Sequence, residues 1–255
     1  MQTTIITLTT DFGEGSFYIA QMKGVILSIN KNAKIFDISH SIKRHNIFEG
    51  AFIISQIWKY FPKGTFHIGV IDPGVGSKRK ELIIETENCY FIGPDNGLFS
   101  LALEKQKLKE VISIDEKKVE KFTKEKTSKT FHGRDIFAPV AALISKGYKP
   151  INFGSEISYN EIKKLHIQKD EVIYIDSFGN IVLSLEKRNF CINKKIALRY
   201  KNKIIPARFV AKYADGKKGE FLLLEGSHGF LELSLREGSA AKKLKAKIGD
   251  KIDVK

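Results

Sequence analysis

Residues 4–39 read TIITLTTDFGEGSFYIAQMKGVILSINKNAKIFDIS, and this stretch alternates apolar runs with a helical pattern. TIITLT at residues 4–9 and IFDIS at residues 35–39 each predict a strand. Between them, apolar residues recur at the spacing of one helix face: Tyr18, Met22, Val25 and Ile29. The stretch therefore predicts a strand, a helix and a second strand in succession.

The same alternation continues to residue 71. A second set of apolar residues at helical spacing consists of Ile47, Ala51, Ile54 and Trp58, and FHIGVI at residues 66–71 predicts a third strand. Strands that are joined by helices need crossover connections, which favour a parallel sheet with helices on both faces. The sequence predicts a doubly wound, mainly parallel α/β domain over residues 1–155.

The pattern changes near residue 170. Short strand-like runs follow, separated by turn-forming residues: VIYID, IVLSL, IALRY, FLLLE, FLELSL and KIDVK. Because almost no helical periodicity occurs among them, we expect a smaller, antiparallel β-barrel domain over residues 170–255. Residues 156–169 are the predicted linker between the two domains.

Composition limits the classes of protein to which the chain can belong. Its 255 residues include two cysteines, Cys89 and Cys191, in separate segments, so neither a disulfide framework nor a zinc site is expected. The N-terminal residues lack a basic segment followed by an apolar one, and no uncharged run reaches the roughly 18 residues of a membrane span. We therefore expect a cytoplasmic protein with no membrane partner.

The formal net charge of +14 is compatible with nucleic-acid binding. The lysines are dispersed, however, and residues 104–129 interleave them with glutamates. Arginine, whose planar group suits phosphate and base recognition, is scarce. A solvated Lys/Glu surface is the favoured interpretation, so no nucleic-acid partner is expected.

Polar loops follow the predicted strands, where open α/β sheets bind their ligands. They are TTDFG at residues 9–13, DPGVGSKR at 72–79, GPDNG at 93–97 and TFHGRD at 130–135. Each also has a purely structural interpretation, because DPG and PDNG are common turn sequences and Asp135 could cap a helix predicted at residues 136–145. The chain contains neither the glycine-rich phosphate loops of nucleotide-binding folds nor the G-x-S-x-G motif of serine hydrolases.

Six motifs, in the same order along the chain, resemble those of the S-adenosylmethionine hydroxide adenosyltransferases, which are hydrolytic relatives of the fluorinase and the chlorinase. They are TLTTDFG (7–13), DPGVGSKRK (72–80), GPDNG (93–97), FHGRDIFAP (131–139), DSFGN (176–180) and GSHGFLELSLREGSAA (226–241). The resemblance implies an α/β domain followed by a β-barrel. It also implies a homotrimer, with each active site between the N-terminal domain of one subunit and the C-terminal domain of the next.

By this resemblance the substrate is S-adenosyl-L-methionine, which water attacks at C5′ to give adenosine and L-methionine, with no cofactor and no metal. The polar triad of the family matches Asp72, Arg79 and His132. Arg79 supplies a fixed positive charge because its guanidinium stays protonated, and His132 is suited to accept a proton or to orient water. Asp72 is suited to orient one of these groups or to bind ribose hydroxyls. The residues alone leave open which of the three takes the proton.

The resemblance also implies residues that bind the substrate. Asp11 matches a carboxylate that accepts hydrogen bonds from the ribose hydroxyls. The positions at the methionine end of the substrate correspond to Asp176, Ser227 and His228.

Further positions match the adenine end. Asn180 and the backbone near Glu237 correspond to adenine-reading positions, and Tyr213 to an aromatic residue beside the base. The remaining predicted binding residues are Phe131, Gly133 and Phe178. Two structural alternatives stay open, namely that residues 178–180 are only a hairpin turn and that Tyr213 is a core aromatic residue.

Departures from the fluorinase pattern bear on the nucleophile. The fluorinase has a tyrosine at the position of Asp72 and a halide-contacting serine at the position of Gly133, and a carboxylate near the attacking site repels an anion. A halogenase tryptophan and a neighbouring acid correspond to His45 and Asn46, so contacts around the substrate differ. Two alternatives to the hydrolase remain. One is a protein that binds S-adenosylmethionine or adenosine without fast turnover, and the other is a halogenase that uses S-adenosylmethionine.

Overall fold

The computed structural model describes residues 4–186 and 190–254. It divides the chain into two compact units, of which the first ends at Leu165 and the second begins at His166. This division falls inside the segment 156–169. The first part of that segment packs on the first unit, because Lys163 N donates to Asp95 Oδ1 at 2.7 Å and Leu165 N donates to Ser100 Oγ at 2.8 Å. Within the described residues, every helix is too short or too polar to span a bilayer.

The first unit combines one sheet with short helices. Its strands are β1 (Ile5–Thr10), β2 (Lys34–Ser39), β3 (Thr65–Val70), β4 (Glu81–Thr86), β5 (Cys89–Pro94), β6 (Leu108–Ile114) and β7 (Gly154–Glu156). Its helices are α1 (Phe17–Ile29), α2 (Ile47–Ile57), α3 (Ser100–Leu103), α4 (Glu116–Thr123) and α5 (Ala138–Ser145). A π-helical turn, Gly133–Phe137, leads directly into α5.

The strands of this sheet lie in the order β2-β1-β3-β5-β4-β6-β7. The pairings among β2, β1, β3 and β5 are parallel, whereas those that involve β4, β6 or β7 are antiparallel. The prediction of a mainly parallel sheet therefore holds for four strands, and the sheet as a whole is mixed. The reason is local, because only Glu87 and Asn88 separate β4 from β5, and so short a connection joins antiparallel strands.

Apolar side chains cover both faces of the sheet. Along β4, Ile83 packs into the cluster formed with α1 and α5, while Leu82 and Ile84 pack into the cluster formed with α2 and α3. On α1 the buried residues are Ile19, Met22 and Ile26. Tyr18 is 43% exposed, so α1 is correctly predicted but its buried face is rotated from the predicted one.

The second unit is built on a separate seven-stranded sheet. Its strands are β8 (Val172–Ile175), β9 (Ile181–Glu186), β10 (Lys195–Tyr200), β11 (Lys203–Phe209), β12 (Phe221–Glu225), β13 (Phe230–Leu235) and β14 (Asp253–Val254), and its helix is α6 (Ala240–Leu244). The strand order is β14-β10-β11-β12-β13-β9-β8, and every neighbouring pair is antiparallel except β11 with β12.

This second sheet curls into a half-barrel. Val172 N donates to the carbonyl oxygen of Asp250 at 2.8 Å, and Glu171 forms a bridge with Lys251, so the segments that lead into the two edge strands meet. The sequence pattern did not predict β11, because Pro206 stands in its middle and proline argues against a strand.

Candidate active site

Strand pairing in the first unit places two polar loops at one edge of the sheet. Thr10 of β1 lies opposite Val70 of β3 in a parallel pair, so the loops that follow these strands begin side by side. Asp11 stands in the first loop and Asp72 in the second. This is the edge at which open α/β sheets bind ligands.

Asp72 and Arg79 form a buried ion pair in the second loop. Arg79 Nε donates to Asp72 Oδ1 at 2.7 Å, and Arg79 Nη2 donates to Asp72 Oδ2. The side chains of Arg79 and Asp72 are 4% and 5% exposed. The loop between them needs glycine at residue 76, where φ is 74° and a Cβ would lie 2.3 Å from the carbonyl oxygen of Lys129. Two parallel hydrogen bonds thus join Asp72 and Arg79 at the two ends of the loop, which is the geometry of a strong arginine–carboxylate pair.

His132 completes a contact among the three residues of the predicted triad. It lies directly before the π-helical turn, its side chain is 1% exposed, and its Nδ1 is 3.1 Å from Arg79 Nη2. Asp135, in the same turn, is not the cap of α5, because it accepts hydrogen bonds from Ser128 N and from Arg134. The structure therefore brings Asp72, Arg79 and His132 together in one buried cluster.

Glu81 belongs to the same cluster, although the sequence analysis did not single it out. This first residue of β4 is 7% exposed, and its Oε1 accepts from Arg79 Nη1 at 2.8 Å. The same oxygen lies 2.9 Å from His132 Nδ1. The signal in the sequence is weak, because an acid at the start of a strand commonly faces solvent. A pointer was its spacing. Glu81 follows Arg79 by two residues, so in an extended chain these two side chains lie on the same side, opposite to that of Lys80.

Glu116 lies on the other side of the His132 ring. Its Oε1 is 3.9 Å from His132 Nε2, and its Oε2 accepts from Lys129 Nζ at 2.9 Å. Among the described residues, Glu81, Glu116 and His132 form a group of possible metal ligands whose ligand atoms all lie within 4.8 Å of one another. Both carboxylates already have a cationic partner, since Arg79 pairs with Glu81 and Lys129 with Glu116.

A cavity of about 400 Å³ opens beside this cluster, within the size range of small-molecule sites. It is lined by Asp11, Phe12, Tyr18, Arg44, His45, Val70, Asp72, Val75, Thr130, Phe131, His132 and Gly133. The set includes five of the predicted site residues, namely Asp11, Asp72, Phe131, His132 and Gly133. The structure therefore groups all the predicted first-unit residues around one cavity, with Arg79 held behind Asp72.

The cavity has one polar corner and one aromatic wall. Asp11 Oδ2 accepts from the backbone nitrogen of His45 at 2.7 Å, which fixes the carboxylate at the end of β1. The ring of Phe131 packs edge-on against Phe12 at 5.7 Å and against Tyr18 at 4.9 Å. Gly133 leaves room for this wall, because a Cβ there would lie 3.1 Å from the Phe131 ring.

The second unit has its own cavity, of about 430 Å³, beside the turn between β8 and β9. It is lined by Asp176, Phe178, Asn180, Tyr213, Ser234, Leu235, Arg236, Glu237 and Gly238. Asn180 N and Nδ2 donate to Asp176 Oδ1 and Oδ2 at 2.8 and 2.9 Å. Residues 178–180 are thus a turn and at the same time part of a cavity wall, with Phe178 77% exposed.

Tyr213 is half-exposed and is anchored by a buried acid rather than by the core. Its hydroxyl donates to Glu232 Oε1 at 2.6 Å, and Ser234 Oγ donates to the same oxygen at 2.8 Å. Burial alone would raise the pKa of Glu232, but hydrogen bonds from His228, Tyr213 and Ser234 outweigh it and lower the pKa. Burial and the carboxylate of Glu232 raise the pKa of Tyr213, so this hydroxyl stays a donor. The sequence analysis did not identify Glu232.

Ser227 and His228 lie in the turn between β12 and β13, outside the lining of that cavity. Gly229 N donates to Gly226 O at 2.9 Å and closes the turn. His228 Nε2 is 3.4 Å from Glu232 Oε2, and His228 Nδ1 accepts from Phe230 N at 3.2 Å. The Glu232 carboxylate therefore links the predicted residues Tyr213 and His228.

Comparison with known proteins identifies the family of the chain. Residues 6–154 match the family model described as the SAM hydroxide adenosyltransferase N-terminal domain, and residues 170–253 match that of the C-terminal domain. The (R)-S-adenosyl-L-methionine hydrolase of Methanocaldococcus jannaschii is 44% identical over 264 residues, which cover 98% of this chain and 95% of the relative.

A solved structure and a more distant relative extend the comparison. The crystal structure of an uncharacterized conserved protein from Thermotoga maritima superposes with a TM-score of 0.90 at 32% identity, covering 98% of this chain and 100% of that one. The fluorinase of Actinopolyspora mzabensis is 24% identical over 98% of this chain and 96% of the relative. On the two family models and these similarities, the chain belongs to the S-adenosylmethionine hydroxide adenosyltransferase family.

Proposed function

We propose that the chain hydrolyses S-adenosyl-L-methionine to adenosine and L-methionine. The observation that carries the proposal is the buried contact of Asp72, Arg79 and His132 at the wall of the first-unit cavity. A relative that is 44% identical over nearly the whole chain is named an (R)-S-adenosyl-L-methionine hydrolase.

In this reaction the oxygen of water forms a bond to C5′ of the substrate while the C5′–S bond breaks. The electron pair of that bond stays on sulfur, so the sulfonium leaves as a neutral thioether and needs no acid. One proton of the water must be released. Alignment of the water opposite the C5′–S bond lowers the barrier, because it removes the entropic cost of bringing the reactants together.

The cluster supplies a fixed charge and an acceptor for that step. Both oxygens of Asp72 accept from Arg79, yet a carboxylate oxygen has more than one lone pair, so Asp72 keeps acceptor capacity toward the cavity that it lines. The guanidinium of Arg79 cannot lose its proton, and from behind Asp72 it holds a fixed positive charge and keeps that carboxylate at the cavity wall. We assign the orientation of these groups to His132.

Substrate binding is assigned to residues of both units. Asp11, fixed by His45 N, is placed to accept from ribose hydroxyls, and Phe131 and Gly133 shape the wall of that cavity. In the second unit the proposal gives the methionine end to Asp176, Ser227 and His228. The adenine end is given to Phe178, Asn180, Tyr213 and the backbone near Glu237. No cofactor and no metal takes part in the proposed reaction.

The resemblance to the family implies a homotrimer, and we extend the proposal to that assembly. In it, the first unit of one subunit and the second unit of the next form each site. The second sheet, curled into a half-barrel, corresponds to the β-barrel of this proposal. The proposal also places the protein in the cytoplasm.

Incubation with S-adenosyl-L-methionine, followed by chromatography of adenosine and methionine, tests the reaction. We expect equal amounts of both products from the unaltered chain, and loss of both in Asp72→Ala and in His132→Ala. Circular dichroism and thermal unfolding report whether these variants still fold. Undiminished turnover in both variants would remove the triad from the mechanism.

Two controls address the alternatives. Binding of S-adenosylmethionine with no adenosine formed would support a binding protein instead of an enzyme. A 5′-halogenated nucleoside formed when chloride or fluoride is added would support a halogenase. We expect no halogenated product, because the carboxylate of Asp72 lines the cavity and repels a halide ion.

A further inference from the structure

We propose that Glu81 is a positioning residue for the reaction, acting through Arg79. Its carboxylate and that of Asp72 both accept hydrogen bonds from the Arg79 guanidinium. We propose that this keeps Arg79 Nη2 in contact with Nδ1 of His132. The inference rests on the proposed hydrolysis of S-adenosylmethionine and adds a fourth member to the buried triad.

The hydrogen bonds of Arg79 show how its guanidinium is held. A guanidinium has five N–H donors, and this one is 4% exposed, so each donor needs an acceptor within the protein. Nε and Nη2 donate to Asp72, while Nη1 donates to Glu81 Oε1 at 2.8 Å and to the carbonyl oxygen of Lys80 at 3.2 Å. The remaining hydrogen, on Nη2, faces His132 Nδ1 at 3.1 Å. All five donors are satisfied only if Nδ1 accepts.

The tautomer of the His132 ring follows from these hydrogen bonds. Since Arg79 is a donor only, Nδ1 must present its lone pair, and the proton of the neutral ring resides on Nε2. Glu81 Oε1 is 2.9 Å from the same Nδ1 as an ion-pair contact, whereas the hydrogen bond of Nδ1 is with Arg79 Nη2. His132 Nε2 is buried and has no hydrogen-bond partner within the described residues, and the carboxylate of Glu116 faces it at 3.9 Å.

The buried charges around Arg79 support the same role for Glu81. Asp72 and Glu81 together hold two negative charges against the single positive charge of Arg79, and all three side chains are at least nine-tenths buried. Glu81 therefore supplies a second anionic contact, at Nη1, that helps to fix the guanidinium against His132.

Glu81→Gln separates charge from packing. The amide keeps the side-chain volume but removes the negative charge that strengthens the hydrogen bond from Arg79 Nη1, so the guanidinium is held less firmly. We expect kcat to fall by roughly tenfold to a hundredfold, because a slightly misplaced group slows the chemical step, with KM changed less than about twofold.

Glu85→Gln is the matched control. Glu85 stands on the same strand, its side chain is 14% exposed, and it pairs with Lys109 Nζ at 2.7 Å, away from the cluster. We expect the kinetics and the pH profile of this variant to equal those of the unaltered chain. The groups that face the cluster and titrate or carry charge are Asp72, Arg79, His132, Glu116 and Lys129, and none of them is altered in either variant.

A spectroscopic measurement tests the same inference without any variant in β4. In the chain labelled with ¹⁵N-histidine, we expect the ring signals of His132, identified by their loss in His132→Asn, to show the proton of the neutral ring on Nε2. A proton on Nδ1 would overturn the inference even if Glu81→Gln failed to fold.

The outcomes separate this inference from the proposed function. If Asp72→Ala is inactive while Glu81→Gln keeps the kcat of the unaltered chain, Glu81 has no positioning role and the hydrolase assignment stands. If the unaltered chain releases no adenosine, the proposed function fails first, and the ¹⁵N measurement still tests the hydrogen-bond assignment.

Discussion

His67, a buried histidine outside the cavity, links the stability of the first unit to pH. Its side chain lies in β3, is 1% exposed, and has Nδ1 2.8 Å from Thr7 Oγ1. Burial lowers the pKa of His67 to about 3, whereas a histidine in an unfolded chain titrates near 6.5. Between these values the unfolded chain binds the proton and the folded chain does not. Stability therefore falls as pH falls from about 6.5 toward about 3.

Replacement of His67 by glutamine should flatten this dependence. We expect the unaltered chain to lose about 2–3 kcal/mol more of its unfolding free energy than His67→Gln does between pH 7 and pH 4.5. Urea denaturation at the two pH values measures the difference. His166→Gln serves as the control, because His166 is exposed and its loss should leave the slope unchanged. Equal slopes for His67→Gln and the unaltered chain would contradict the prediction.

Some residues of the site are predictable from the sequence, and others are not. The motif resemblance leads to Asp72, Arg79 and His132, and these three are in contact. Glu81 and Glu232 escape it because each stands in a strand where an acid normally points to solvent. Their burial depends on side chains from other segments, His132 beside Glu81 and Tyr213 beside Glu232. Local patterns carry no information about such partners.

At the scale of elements, the start of α2 joins helix stability to the first-unit cavity. Asn46 Oδ1 accepts from Glu49 N at 3.2 Å and caps the helix, and Asn46 Nδ2 donates to Glu49 Oε2 at 3.1 Å. His45, the preceding residue, lines the cavity and donates its backbone N–H to Asp11. The Asn46 cap thus fixes the backbone of His45, which in turn holds the carboxylate of Asp11, the predicted ribose-binding residue.

Asn46→Ala should therefore have two effects. Loss of the cap lowers the unfolding free energy by about 1 kcal/mol. The freed backbone of His45 should also raise KM for S-adenosylmethionine, because Asp11 loses a fixed donor. Asn46→Ser, which keeps a capping oxygen, should retain both properties. Denaturant unfolding and steady-state kinetics measure the two effects, and unchanged KM in a clearly destabilised Asn46→Ala would disconnect the cap from the cavity.

Elements are predictable from the sequence where their periodicity is strong. The apolar runs predict β1, β2 and β3, of which β1 and β3 are almost wholly buried, and the helical spacings predict α1 and α2, which each bury one face. β6 and α4 fall within residues 104–129, where alternating lysines and glutamates obscure one buried face per element. The hairpin of β4 and β5 breaks the parallel rule through a two-residue connection, and a crossover pattern does not predict it.

On the scale of the whole molecule, each unit forms its own core, and the residues assigned to the substrate are divided between them. The first unit carries Asp11, Asp72, Arg79, Phe131, His132 and Gly133, and the second carries the remainder. In the proposed trimer, a complete site needs an intact first unit and an intact second unit from different chains. Damage to the two units in separate chains should therefore be repairable by mixing.

Two variants make this test quantitative. His132→Ala damages the first unit and Asp176→Ala the second, and each alone should be inactive or nearly so. If subunits mix at random in equal amounts, a site unites two intact units in about one case in four, so co-expression should restore about a quarter of the activity. Mixing His132→Ala with Asp72→Ala is the control, because both changes lie in the first unit and no combination is intact. Activity in neither mixture, with trimers confirmed by light scattering, would place each site within a single chain.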